Sequence, residues 1–323
     1  MNMRYRIIAN PVANKGGSEK ILPGVEKELK AKGLNYDLVK TRHAWHAADL
    51  AQQAVAAVYD VVVAAGGDGT VNEVINGLLL AKDAGLGSAA LGVIPIGQGN
   101  DFCFGMGLPT NWKAAIGVLA QGQRRLIDVG YIRGGLYPAG RFLGNGAGIG
   151  FDASVNIVSR GLKLTGFLSY FVAALKTLFL DFHAPKMEII LDNQTLVQET
   201  LMVSIMNGRR MGGGFLMTPQ SQPDDGLFDI CVANKTSPFR ALTIIPSFFN
   251  GTQAVHKKII HFHRSQRVTV RALTDNLPCH ADGEVISTRS PELSLEIVPG
   301  ALELIVPPAR TIKPPKTKKQ NKT

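Results

Sequence analysis

The segment YDVVVAAGGDGTVNEVINGL, Tyr59 to Leu78, holds a strand, a turn and a helix in close succession. Tyr59 to Ala65 contains a short β-branched apolar run bounded by glycines, the pattern of a strand buried in a parallel sheet. Gly66-Gly67-Asp68-Gly69-Thr70 then turns the chain into a helix predicted over Thr70 to Lys82, with Asn72 and Glu73 in its first turns. Glycines permit the tight turn and leave backbone N–H groups open to an anion. The helix N-terminus adds partial positive charge, so phosphate is a natural ligand. The segment has neither the Gly-Lys-Ser/Thr of a P-loop nor G-x-G-x-x-G spacing. Asp68 would repel a phosphate unless Mg²⁺ bridges the two. The alternative is an ordinary strand–turn–helix connection with Asp68 exposed.

The same alternation extends on both sides. Arg6 to Ala9 reads as a strand ending in Asn10-Pro11, Ser18 to Lys32 as a helix capped by Ser18, and Leu34 to Lys40 as a strand. Ala47 to Tyr59 is an Ala-rich helix, and Leu91 to Ile96 another buried strand. Strands alternating with helices imply a parallel sheet with right-handed crossovers. Ligands of such sheets bind outside the carboxyl ends of the strands. Three loops qualify, after Ala9, Ala65 and Ile96. The last lies in IPIGQGNDF, Ile94 to Phe102, and carries Gln98, Asn100 and Asp101. Two glycine loops on adjacent strand ends point to a nucleotide.

From about Asp128 the pattern changes to short strands: Leu126–Ile132, Lys186–Leu191, Leu201–Met206, Phe228–Ala233, Lys258–Phe262 and Arg267–Arg271, with a tight turn at Asp192-Asn193. This is a mostly antiparallel region with one long helix over Leu162 to Phe179. Its stripe of Phe167, Tyr170, Phe171, Ala174, Leu175 and Leu178 reads as core packing rather than a lipid-facing surface.

A chain of 323 residues suits two domains. With 45% hydrophobic and 19% charged residues it is not wholly disordered. Its longest near-apolar stretch, Phe167 to Leu175, contains Ser169 and ends at Lys176, far short of the roughly 18 apolar residues of a membrane span. Met1 to Asn10 shows no apolar signal core, and Cys103, Cys231 and Cys279 show no pairing pattern, so a reducing cytoplasm is expected. Six of the ten excess positive charges sit between Arg310 and Lys322, beside Pro314 and Pro315, which predicts a disordered basic tail over 307–323. Such a tail is either solvated without function, attracted to an anionic membrane, or bound to nucleic acid. No aromatic residues interleave with the lysines, which disfavours nucleic acid.

Further acids stand beside glycines. They occur in PDDGLFD (Pro223 to Asp229), which follows the glycine-bearing stretches Asn207-Gly208-Arg209 and Gly212-Gly213-Gly214-Phe215, and in Asp282-Gly283-Glu284. Solvated turns explain them as well as a divalent metal site or a general base does. His261 and His263 lack a neighbouring Cys or acid cluster and read as a satisfied pair. His43 and His46 read as capping or packing residues, Trp45 and Trp112 as core or interface anchors, and the cysteines as buried apolar residues.

In order along the chain, Asn10-Pro11, GGDGTVNEVINGL (Gly66 to Leu78), IPIGQGNDF, NGAGIGFDASV (Asn145 to Val155), NGRRMGGGF (Asn207 to Phe215), PDDGLFDI and DGE (Asp282 to Glu284) resemble the bacterial diacylglycerol-kinase-like lipid kinases. These share a catalytic core with sphingosine and ceramide kinases. GGDGT alone also resembles NAD kinases; the later motifs favour lipid kinases. The resemblance implies an N-terminal Rossmann-like, NAD-kinase-like α/β domain over 1–128. A C-terminal, mostly antiparallel β-sandwich domain over 129–299 would face it across the active-site cleft, with a strand at about 300–306 returning to the first domain. It implies ATP contacts from Asn10, Thr41, Gly66, Gly67, Asp68, Gly69, Thr70, Asn72, Gln98 and Asn100. Asp68 and Asp101 would lie near the phosphates and their Mg²⁺. Glu284 would be the general base, supported by Asp282. The backbone of Gln222 and Leu227 with the Asp225 side chain would hold a structural Mg²⁺, and Asp128 would link that site to the active centre.

The family usually carries Thr where Gln98 stands and Arg where Phe104 stands, and its first loop often has a Ser that Asn10 to Gly16 lack. None of the acids required is missing. The expectation is an ATP- and Mg²⁺-dependent kinase of a lipid hydroxyl, diacylglycerol first, giving phosphatidic acid. It would be cytoplasmic, peripheral at the inner face of an anionic membrane, without nucleic acid, and a homodimer by default. The rivals are an NAD-kinase-like enzyme with a soluble substrate, which does not account for Asp-Gly-Glu, and a non-catalytic lipid- or nucleotide-binding regulator, which rests on Gln98.

Overall fold

The computed structural model describes residues 3–162, 166–180 and 182–308. Its first part runs β1 (Arg4–Ala9), α1 (Gly17–Ala31), β2 (Asn35–Lys40), α2 (His46–Ala56), β3 (Val61–Gly66), α3 (Asp68–Asp83) and β4 (Ala90–Pro95), followed by α4 (Asp101–Gly105) and α5 (Trp112–Gln121). The four strands pair in parallel in the order β4-β3-β1-β2. Successive strand residues face opposite sides. Ile7, Val61 and Val63 therefore pack with Leu22 and Leu29 of α1 and Ile116 and Leu119 of α5. Ile8, Val62 and Ala64 pack with Ala51 of α2 and Ile75 and Leu78 of α3. Helices on both faces explain why β3 and β4 are apolar without alternation.

The second part is β5 (Arg124–Gly134), β6 (Tyr137–Leu143), β7 (Gly146–Gly150), α6 (Phe151–Arg160), α7 (Gly166–Leu180), β8 (Lys186–Leu191), β9 (Gln194–Met206), β10 (Phe228–Asn234), α8 (Pro238–Asn250), β11 (Ile260–Ser265), β12 (Arg267–Ala272), β13 (Leu277–Ala281), β14 (Glu284–Ser290) and β15 (Glu292–Ile305). These strands pair antiparallel with one another in two layers over a shared core that includes Ile149, Ile189, Val203, Val268, Ile230 and Leu295. The long β9 crosses between the layers, pairing β8 with its first residues and β7 and β10 with its last.

Three expectations change. The strand returning to the parallel sheet is not a separate piece at 300–306 but the end of β15, which pairs β12 and β5 before Leu304 meets Leu91 of β4. The helix expected over Leu162 to Phe179 is α7, starting at Gly166 and preceded by the separate α6; α8 is a further helix. The strand expected from Lys258 starts at Ile260, because the His256 carbonyl first accepts the N–H groups of Ile259 and Ile260. Ala174 and Leu178 of the predicted stripe are buried, and the three cysteines are free and buried. No helix among the described residues is long and apolar enough to cross a membrane. The predicted basic tail, from residue 309 on, lies outside the described residues.

Candidate active site

The three loops meet at one sheet edge. Asn10 N–H donates to Ala65 O (2.9 Å), Thr41 N–H to Ala9 O (2.9 Å) and Ile96 N–H to Gly66 O (3.0 Å). The Asn10 side-chain amide donates to Thr70 Oγ1 at 3.0 Å, tying the first loop to the first turn of α3. The two glycine loops stack backbone to backbone: a Cβ on Gly97 would lie 2.3 Å from the Gly67 Cα. Only glycine fits there. Asp68 is thereby placed in the first turn of α3, not in the preceding loop, with Gly67 as the N-cap. Asn100 adopts a left-handed conformation (φ 51°), which lets Asp101 open α4.

The opposite wall comes from the β-rich half. Arg210 Nε donates to Asp101 Oδ1 at 2.6 Å, its Nη2 donates to Gly99 O at 2.8 Å, and its guanidinium lies 4.3 Å from the Phe104 ring centre. Gly213 N–H donates to Asp101 Oδ2 at 2.8 Å. Both oxygens of Asp101 are therefore held by the MGGG loop. Phe104 stacks on a guanidinium supplied from across the cleft.

Asp282 (φ 48°) and Gly283 (φ 82°) make the tight turn between β13 and β14. The Asp282 carboxylate accepts four hydrogen bonds, from Asn72 Nδ2 (2.7 Å), Gly144 N (2.7 Å), Asn145 N (2.9 Å) and Gly146 N (3.0 Å). With its acceptors filled it acts as a fastener, and Glu284, the first residue of β14, is presented to the cleft by this turn. Asn72 is 1% exposed and bonds Asp282, Phe142 O and Arg141. These bonds brace α3 against the β-rich half.

The resulting cleft encloses roughly 1220 Å³ including its open mouth. Asp68, Gly69, Gln98, Asp101, Asp282 and Glu284 line it, together with Lys15 and the Gly212-Gly213 loop. Thr41 and Asn100 lie on the adjoining loops, and Gln98 donates to Asn14 Oδ1 at 3.0 Å. Burial first, then the neighbouring Asp101, push the Asp68 carboxyl up to about 7, against a hydrogen bond from Phe102 N–H (2.9 Å). Burial also raises Asp101, opposed by Arg210 and Gly213 N–H. Desolvated carboxylates in one cleft favour a cation between them. No group of three or more acids, histidines or cysteines poised to hold a metal occurs among the described residues. Asp68 would hold a cation here only together with ligands from outside the protein.

The expected structural Mg²⁺ site does not fit. Asp225 Oδ2 is paired with Arg264 Nη2, and its Oδ1 accepts Leu227 N–H at 3.2 Å. Arg264 Nε also faces Asp229 Oδ1 at 3.4 Å. A guanidinium stands where a metal would need the carboxylate. The Asp128 carboxylate accepts Gly226 N–H and Gly300 N–H, both at 2.7 Å. Its link to the centre runs through backbone: Asn207 Nδ2 donates to both Asp128 O and Gly144 O.

Behind the MGGG loop lies an almost wholly apolar cavity, part of it open to solvent. Val155, Leu201, Met202, Ile244 and Phe248 are among its walls, and Met211 and Gly212 are shared with the polar cleft. Neither this cavity nor the role of Arg210 was foreseen from sequence. Arg210 stood inside a quoted motif, but its partner lies 109 positions away.

Residues 4–132 match the diacylglycerol kinase catalytic domain, and residues 146–306 the YegS C-terminal NAD kinase beta sandwich-like domain. A diacylglycerol kinase of Mycobacterium tuberculosis is 30% identical over 309 residues, covering 93% of this chain and 94% of the relative. A probable lipid kinase YegS-like of Pseudomonas aeruginosa is 31% identical over 258 residues, 80% of each chain. The fold is shared with a crystal structure of a diacylglycerol kinase from Bacillus anthracis (TM-score 0.71, 22% identity, 95% of this chain and 98% of that one). The chain belongs to the diacylglycerol kinase-like lipid kinase family and is a lipid kinase.

Proposed function

We propose that the enzyme transfers the γ-phosphate of ATP, with Mg²⁺, to the hydroxyl of diacylglycerol, giving phosphatidic acid. The observation that carries this reading is the shared wall of Met211 and Gly212, which sets a carboxylate-lined cleft beside an apolar cavity. An apolar cavity beside the cleft suits the acyl chains of a lipid acceptor better than a soluble one. The glycine loops after β3 and β4 offer backbone N–H groups to the nucleotide phosphates. Mg²⁺ at Asp68 would neutralise charge on the transferring phosphoryl group. Glu284 would take the proton of the attacking hydroxyl. Asp282 keeps the turn that presents it, and Asp101 with Arg210 keeps the two walls in register.

Work would take place at a membrane surface. Leu168, Phe179 and Phe239 are exposed on α7 and α8, the helices that supply Ala174, Ile244 and Phe248 to the cavity. The reading is tested with labelled ATP, Mg²⁺ and mixed micelles containing diacylglycerol. Label in the organic phase that disappears without Mg²⁺ is expected. Label found only in water-soluble product would replace this reading with that of an NAD-kinase-like enzyme.

A further inference from the structure

His280 lies on β13, two residues before Asp282 and opposite Gly148 of β7. It is 1% exposed and lines the polar cleft, yet neither ring nitrogen has a hydrogen-bond partner. Asp152 Oδ1 lies 3.5 Å from its Nε2. Asp152 opens α6 and lines the apolar cavity, and its other oxygen accepts the Ser204 hydroxyl at 3.3 Å. The pair thus stands in the partition between cleft and cavity. Gly148 makes room for it: a Cβ there would come within 2.2 Å of Asp152 Oδ2 and 2.7 Å of His280 Nε2.

An imidazole carries at least one N–H in every protonation state. Burying that donor unbonded is costly, and such a group at the wall of a cleft is placed to be satisfied by a ligand. Neither neighbouring acid supplies it: Asp282 is already filled by four donors, and Asp152, 3.5 Å from Nε2, makes no hydrogen bond to the ring. In a glycerolipid the ester carbonyls lie between the hydroxyl and the chains. With the hydroxyl in the cleft and the chains in the cavity, those carbonyls fall at the partition.

We propose that His280, packed beside Asp152 in this partition, donates a hydrogen bond to an ester carbonyl of the acceptor lipid and so selects acylated glycerols. This rests on the lipid-kinase reading above and adds a specificity residue to it. The test compares diacylglycerol with the dialkyl ether of the same chain length as acceptors. Wild-type enzyme should favour the diester by about tenfold in kcat/KM, the worth of one well-placed hydrogen bond. His280→Leu should lose that preference through a higher KM for the diester, with KM for ATP unchanged, and His280→Asn, which keeps an N–H, should recover part of it. Equal use of ester and ether by the wild type overturns the proposal without any variant, and so does a preference that survives in His280→Leu. If neither lipid is phosphorylated, the lipid-kinase reading falls. Calorimetric binding of the same two lipids to wild type and His280→Leu then decides the role of His280 on its own.

Discussion

Arg210 and Asp101, 109 residues apart, meet at 2.6 Å across the cleft, with side-chain exposures of 16% and 11%. The contact joins the loop after β4 to the MGGG loop of the β-rich half. Removing one member of a nearly buried ion pair leaves the other charge desolvated, at a cost of about 3 kcal/mol. Arg210→Ala should therefore lower stability to chemical unfolding by about that amount and reduce phosphate transfer. Arg210→Lys should recover only part of both, because lysine cannot reach Asp101 and Gly99 O together while stacking on Phe104. An unfolding midpoint unchanged in Arg210→Ala would show that the contact does not hold the walls together.

The raised pKa of Asp68 has a definite sign. The folded chain holds that proton up to about pH 7, whereas an unfolded carboxyl loses it near pH 4. Between these values the native state binds more protons than the unfolded one, so stability falls as pH rises and levels off above about 7. Asp68→Asn should flatten that slope in urea titrations of metal-free protein. A cation at Asp68 opposes the penalty, so Mg²⁺-ATP should bind more tightly as pH rises through the same range. Identical slopes for wild type and variant would refute the assignment.

Glu284→Gln should bind ATP like the wild type but transfer phosphate at least about a hundredfold more slowly, the usual loss on removing a general base. Equilibrium ATP binding and single-turnover transfer separate the two effects. Near wild-type turnover would transfer the base role to another residue of the cleft.

With Arg264 on Asp225, no structural metal is required at that position. Chelator added to nucleotide-free enzyme should leave the thermal midpoint unchanged. Arg264→Ala should cost at most about 1 kcal/mol, because the pair is partly exposed. A chelator-induced drop in midpoint would restore a cation to that site.

The parallel sheet and its ligand edge were legible because glycine, asparagine and aspartate punctuate buried strands, as at Gly66 to Thr70 and Gly97 to Asp101. The turn at Asp192-Asn193 was legible too, but the first half of β9, Gln194–Glu199, which pairs β8, was not: it is largely polar, and the expected strand began at Leu201. Strand β7, Gly146–Gly150, was not: three glycines in five residues have no strand preference, and it forms because β9 and β13 flank it. Helix α8 carried signals that went unread, Ser237 capping Arg240 N–H, Pro238 at its start and Gly251 at its end. Pairings such as Arg210 with Asp101, Asp225 with Arg264 and His280 with Asp152 join distant segments. No local spacing encodes them, and only the packed halves bring them together.

Strand β15 bears on how the molecule comes into being. On a ribosome, the loops of Asp68 and Asp101 emerge early, but the sheet beneath them keeps a bare flank at β4 until Leu304 has been made. An unpaired flank of buried-type residues invites association with other chains. The nascent enzyme must therefore be shielded, or hold its early half loosely, until the closing strand arrives. A fragment ending before β15 would expose the same flank, so it should associate more readily than the whole chain.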